Sequence, residues 1–105
     1  MRRFLVRIIS RKKIREASAE HGEWEASLAA WYRIAKAARW KHFGDVKQSW
    51  RRADSVGTCV VFDISYNRCT LIAYINYRTQ KLFILHILDH VEYDRDRWKD
   101  DCDDD

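Results

Sequence analysis

Apolar and polar positions alternate with different periods along this chain, and the periods mark its elements. Trp24, Leu28, Trp31, Ala35 and Ala38 recur at spacings of four, three, four and three, which draws one apolar stripe down a helix. Arg33, Lys36, Arg39 and Lys41 fall off that stripe and are predicted to form a basic outer face. Upstream, Val6 to Ile9 reads as a short strand. Ser10 is placed to cap a helix from Arg11 to about Glu20, and Gly22 follows at a position suited to a left-handed backbone. Gly44-Asp45 is predicted to stop the long helix and start a short one through Trp50, and Arg51 to Val56 reads as a polar connection. Beyond Gly57 the period changes. Val60 to Ile64, Leu71 to Tyr77 and Leu82 to Leu88 are rich in β-branched and aromatic residues, with Tyr66-Asn67 and Thr79-Gln80 as turn centres of an antiparallel meander.

The last of these runs, Leu82-Phe83-Ile84-Leu85-His86-Ile87-Leu88, is almost unbroken in apolar character. A strand with one wet face should alternate. Either this strand is central with both faces covered, or another chain hides one face. His86 within it reads as a hydrogen-bonded core or rim residue. The order strand, helix, helix, meander predicts an α+β fold, with an N-terminal strand and two helices packed on one face of a mainly antiparallel sheet. Without repeats, prolines or a linker, residues 1–105 read as a single domain ending in an acidic tail at about 95–105.

Charge adds an asymmetry to this picture. Residues 1–15 carry seven Arg/Lys and no acids, and residues 33–52 carry seven more against Asp45. Residues 89–105 hold nine acids against Arg95, Arg97 and Lys99. A basic front points to polyanion contact. No stretch has the length of a membrane span or a signal-peptide core, which predicts a cytoplasmic protein with no membrane partner. Cys59, Cys69 and Cys102 lack CxxC spacing, so they are expected as reduced, ordinary thiols, and no metal or cofactor is called for.

The chemistry concentrates at the ends of the meander. His90-Val91-Glu92-Tyr93-Asp94 gathers an imidazole, a phenol and carboxylates, and Asn67-Arg68 sits in the preceding turn. Phosphodiester chemistry needs a proton acceptor, a proton donor and cations for the charge on phosphorus. Histidine has an ordinary pKa of about 6.5 and moves protons near neutrality, which makes His90 the candidate for proton transfer. Tyr93 can donate or position a proton, while Arg68 and Lys41 can clamp phosphate. With Thr79-Gln80 centring the hairpin, Cys69 is predicted opposite His90, Thr70 opposite Asp89 and Leu85 opposite Tyr74. That register brings the Asn67-Arg68 turn to the same end of the sheet as His90.

Four ordered pieces of the chain resemble the HigB family of toxins within the RelE/ParE-like fold. They are Ile9-Ser10-Arg11-Lys12; Ala30-Trp31-Tyr32 with Trp40-Lys41-His42-Phe43-Gly44-Asp45-Val46; Val56-Gly57, Val61-Phe62-Asp63-Ile64 and Asn67-Arg68; and Ile75-Asn76-Tyr77 with His90-Val91-Glu92-Tyr93-Asp94. The resemblance implies an mRNA endoribonuclease, acting on free messenger RNA or on the ribosome and held inactive by a helix-turn-helix, HigA-like antitoxin. It implies a site of His90, Tyr93 and Arg68 with RNA contacts from Asn67, Lys41, Arg39, Arg11 and Lys12. Where the family commonly has basic residues this chain has Thr70 and Leu85, and Asp89 stands at a position commonly threonine. An alternative expectation is therefore a degenerate toxin that binds RNA, ribosome or antitoxin without cutting.

Overall fold

The computed structural model describes residues 6–66 and 68–103. Its elements are β1 (Arg7–Ile9), α1 (Arg11–Glu20), a 3-10 turn (Gly22–Trp24), α2 (Glu25–Ala37), α3 (Phe43–Ser49), β2 (Ala53–Val56), β3 (Cys59–Asp63), β4 (Thr70–Asn76), β5 (Lys81–Leu88), α4 (His90–Asp94) and a closing 3-10 segment (Arg97–Cys102). The strands make one five-stranded sheet in the order β1-β5-β4-β3-β2. β1 runs parallel to β5, and the remaining neighbours are antiparallel. This is the α+β architecture that the pattern of apolar positions predicts.

The helical stripe does what its period requires. Trp24, Leu28, Trp31 and Ala35 are buried, together with Trp40 and Val46, against Phe62, Leu71, Ala73, Leu82 and Ile84 on one sheet face. Trp31 meets Phe62 edge-on at 5.2 Å between ring centroids, and Trp40 stacks on the same ring at 6.2 Å. Alternation along β4 decides the second face. Leu71, Ala73 and Ile75 point to the helices, while Ile72 joins Cys59, Val61, Trp98 and Cys102 in a smaller cluster behind the sheet. The unbroken apolar run of β5 is thereby explained. The strand lies between β1 and β4, with helices on one side and, over Leu85 and Leu88, the returning C-terminal segment on the other, while Phe83 stays half-buried against the exposed Tyr74 ring.

Several local expectations are corrected. α2 stops at Ala37, because Ala38 turns extended and its carbonyl accepts the Val6 N–H at 3.1 Å while Trp40 dives into the core. Arg39 and Lys41 are thus beyond the helix, and Gly44 lies inside α3. Asp45 accepts the Lys41 N–H at 2.9 Å. Ser10 makes no side-chain cap bond, and Gly22 opens the 3-10 turn instead of reversing the backbone. The polar connection from Arg51 to Val56 contains the edge strand β2. Only Ala53 of that strand is buried, with Asp54 and Ser55 exposed, so its sequence lacks the apolar signature while its charge suits a sheet edge.

The β4–β5 register also differs from expectation. The loop spans Tyr77 to Gln80, with Asn76 opposite Lys81, because the Asn76 side chain accepts the Thr79 N–H and Gln80 takes φ +57°. The hairpin is therefore centred one residue earlier. A bulge at Ile72/Ala73 then shifts the register again, so Thr70 faces Leu88, Tyr74 faces Phe83, and Leu85 has no strand partner. Such a bulge turns consecutive residues toward one face. Leu85 packs on the cluster behind the sheet, and His86 meets Asp101 there at 2.7 Å.

Cys59 and Cys102 form a disulfide, with Cα atoms 5.2 Å apart, which corrects the expectation of three reduced thiols. The pair is 43 residues apart in sequence, and it meets because the chain after α4 folds back over the sheet. Cys69 remains a buried thiol.

Candidate active site

The site is built where β5 ends. Asp89 leaves the strand with extended backbone and caps α4: its Oδ1 accepts the Glu92 N–H at 2.9 Å, and its carbonyl accepts the Tyr93 N–H at 2.9 Å. An aspartate satisfies the free N–H groups of a first turn at least as well as a threonine. The carboxylate that departs from the family pattern is thus committed to the helix itself. His90 opens α4 and is exposed; Tyr93, three residues on, shares its face. These two side chains and Asp94 line a pocket of about 390 Å³ whose remaining wall is the buried Thr70 of β4.

Tyr93 is held from behind. Its ring lies nearly parallel to Trp98 (12° between planes, centroids 5.2 Å apart), and its carbonyl accepts the Trp98 indole N–H at 3.0 Å. Burial, followed by the nearby Asp54 carboxylate, pushes the phenol above its ordinary value of 10.0; Lys99 opposes this and Asp96 and Asp94 add to it. At neutral pH Tyr93 therefore offers a proton and does not accept one.

Of the remaining candidates, Arg68 belongs to the same end of the sheet. Its N–H donates to the Ser65 carbonyl at 2.9 Å, closing the turn two residues before Thr70, and its side chain is exposed. Asn67 lies outside the described residues. The other four positions are not brought to this pocket. The Trp40 carbonyl accepts from the Gln80 side chain, so the Arg39–Lys41 segment meets the sheet at the opposite end of β5. At about 3.3 Å per residue that strand separates the two ends by on the order of 20 Å. Arg11 lies over the Tyr32 ring at 4.9 Å, in the groove between α1 and α2, and Lys12 pairs loosely with Glu16 at 3.9 Å.

Thr70, singled out in the sequence on the site's face of the hairpin, is a wall of the pocket, whereas the role of Trp98 as the support of Tyr93 was missed. For Trp98 a signal was present: one tryptophan in an otherwise charged tail. Glu92 is turned to Arg95 at 3.0 Å and serves the helix surface.

Two comparisons bear on what such a pocket belongs to. The mRNA interferase HigB of Escherichia coli O6:H1 is 26% identical over 91 residues, covering 84% of this chain and 88% of that protein. The profile of the HigB toxins, described as the RelE-like toxic component of a toxin-antitoxin system, matches residues 24–96, a span that takes in both the helical core and the His90–Tyr93 pocket. On that match the chain belongs to the HigB toxin family.

Proposed function

We propose that this chain is a toxin that cleaves messenger RNA without a metal, by attack of a 2′-OH on the adjacent phosphate. The observation that carries the reading is the placement of His90 and Tyr93 on one face of a capped helix, opening into one pocket. In this scheme His90 takes the 2′-OH proton as the 2′-oxygen bonds to phosphorus. The bond from phosphorus to the 5′-oxygen breaks, and that oxygen leaves with a proton. Tyr93, kept protonated by its burial, donates to the phosphoryl or leaving oxygen. Arg68, at the same end of the sheet, matches the growing negative charge with a two-pronged guanidinium. The products are a 2′,3′-cyclic phosphate and a 5′-hydroxyl.

Purified protein incubated with single-stranded RNA in EDTA, with and without ribosomes, tests this. Cleavage leaving cyclic phosphate ends is expected. EDTA-sensitive cleavage, or 3′-hydroxyl ends, would reject the mechanism.

A second reading is favoured by one feature of the pocket. Among the described residues its lining holds a carboxylate, Asp94, and no cation. A toxin that binds RNA or ribosome without cutting follows from that charge balance, and RNA binding without products in the same assay would select it. In either case the partner we propose is a helix-turn-helix antitoxin. Only Leu82 and Ile84 of β5 are buried, so the contacts we propose for it are the half-exposed Phe83 with Tyr74 beside it and the exposed basic side of α1 and α2. Co-elution with the product of the adjoining reading frame is the expected result.

A further inference from the structure

After α4 the chain reverses at Asp96, which takes φ +62°, and residues Arg97–Cys102 cross the sheet face opposite the helices. Trp98 and Cys102 are 3% and 2% exposed, and with Cys59, Val61 and Ile72 they form the cluster behind the sheet. The crossing is pinned along its length. It begins at the Trp98–Tyr93 stack and indole hydrogen bond, passes the 2.7 Å contact between Asp101 and His86, and ends where the Cys102 carbonyl accepts the Thr58 N–H at 2.8 Å beside the Cys59–Cys102 bond. The segment therefore starts at the wall of the His90–Tyr93 pocket and continues over the same face of β4 and β5. With its flanking residues, from Asp96 to Asp103, it carries Asp96, Asp100, Asp101 and Asp103 against Arg97 and Lys99, and Lys99 pairs with Asp96 at 3.3 Å.

We infer that the Cys59–Cys102 disulfide is a redox latch: it fastens an acidic strap over the sheet face beside the pocket, and its reduction by a thiol lets the Asp100–Cys102 end of the strap lift, with Trp98 still stacked on Tyr93, and admits RNA. The inference rests on the proposed RNA-cleaving site and concerns its regulation. A nucleic-acid strand seated with one phosphate in the pocket continues either along this face or away from it. With the strap down, the first route is filled by protein and lined with carboxylates that repel phosphate within a screening length of about 8 Å. Disulfides in reducing compartments are usually transient or redox-sensing, and a protein acting on messenger RNA works in such a compartment. The chemistry balances: a dithiol reductant gives up two electrons and two protons, leaves as its own disulfide, and returns Cys59 and Cys102 as thiols. Without the bond, the end beyond Trp98 is held by edge contacts such as Asp101 with His86 and the Thr58 N–H on the Cys102 carbonyl, the kind that open locally without global unfolding.

The test compares the oxidised protein, the same protein in dithiothreitol, and Cys102→Ser. Tryptic cleavage after Lys99 reports the strap, and a labelled single-stranded RNA at fixed salt reports binding and cleavage. Reduction is expected to accelerate that tryptic cut and to tighten RNA binding several-fold; Cys102→Ser should show the open behaviour from the start and ignore dithiothreitol. The latch is overturned by equal tryptic protection in both redox states, by a strap that opens while RNA affinity stays the same or falls, or by loss of overall helical circular dichroism on reduction. Should Cys102→Ser not fold, the oxidised and reduced wild-type arms decide alone. RNA cut equally well in both states rejects the latch and leaves the nuclease reading. RNA bound more tightly after reduction but never cut rejects the nuclease reading and leaves the latch.

Discussion

Gly57→Ala is expected to be among the most damaging single-methyl additions this chain can receive. Gly57 and Thr58 form the two-residue turn between β2 and β3, and Gly57 takes φ +56°, in the left-handed region. An L-residue there costs roughly 1–2 kcal/mol relative to glycine. The added Cβ would also lie 1.8 Å from the Cys102 carbonyl oxygen and 2.9 Å from its carbon, both far inside contact distance, and the obstacle is backbone. One segment must move, and the movement strains or breaks the Thr58–Cys102 hydrogen bond, worth about 1 kcal/mol net. The sum is about 2–3 kcal/mol. For a domain of this size that lowers the melting temperature by on the order of 10 °C. Gly22→Ala is the internal control, since its Cβ would meet nothing within 4 Å. Thermal and urea unfolding of both variants, followed by circular dichroism, is the assay. A Gly57→Ala melting point within about 2 °C of the parent would refute the reasoning, because the left-handed backbone alone predicts more than that.

Further outcomes are expected at the site and in the core. His90→Ala should lower RNA cleavage by roughly 100-fold or more at unchanged melting temperature, the usual scale for a proton-transfer group; unchanged activity in folded protein would move the site elsewhere. Asp89→Ala should cost about 1 kcal/mol through loss of the α4 cap, whereas Asp89→Thr, which keeps an acceptor oxygen, should stay within a few tenths; equal stability of the two in denaturant titrations would contradict the capping role. Burial, with Asp63 and Glu23 adding to it, pushes the Cys69 thiol up to about 12 from 9.0. Between those values the unfolded chain has released a proton that the folded one retains. The contribution of Cys69 is therefore fully present below pH 9 and is lost as pH rises toward 12, by up to about 1.4 kcal/mol per pH unit. Melts of wild type and Cys69→Ala from pH 8 to 11 should converge as pH rises, and parallel curves would count against it.

Where the side-chain period was strong, the sequence was readable. Trp24, Leu28, Trp31 and Ala35 named the buried face of α2, and the three β-rich runs named the meander. Legibility failed where tertiary contacts overrode local pattern. Trp40 ended α2 early by entering the core, and β2 hid because an edge strand with Asp54 and Ser55 shows no alternation. The register slipped because Asn76 and Gln80 set the loop and a bulge at Leu85 added a residue. Within the site, the motif identified His90 and Tyr93, and simple antiparallel pairing placed Arg68 at their end of the sheet. Lys41, Arg39, Arg11 and Lys12 were grouped with them on charge and on the family resemblance, and neither carries an address. The Cys59–Cys102 pair was invisible for a related reason: sequence spacing does not report where a returning tail lies.

The strand order has a consequence for how and when the molecule comes into being. β5 is the last strand to be synthesised, yet it lies inside the sheet, joining β1, made first, to β4. The β2-β3-β4 meander can pair through short loops as it emerges, whereas β1 has no sheet partner until Lys81 to Phe83 arrive, more than seventy residues later. Closing so long a loop is entropically late, and such pairings tend to follow the local ones. α4 begins two residues after β5 ends, so the pocket is completed together with this final closure. Under the proposed activity, the nascent toxin stays unable to cut until translation has passed Tyr93 and Trp98, close to the end of its own message.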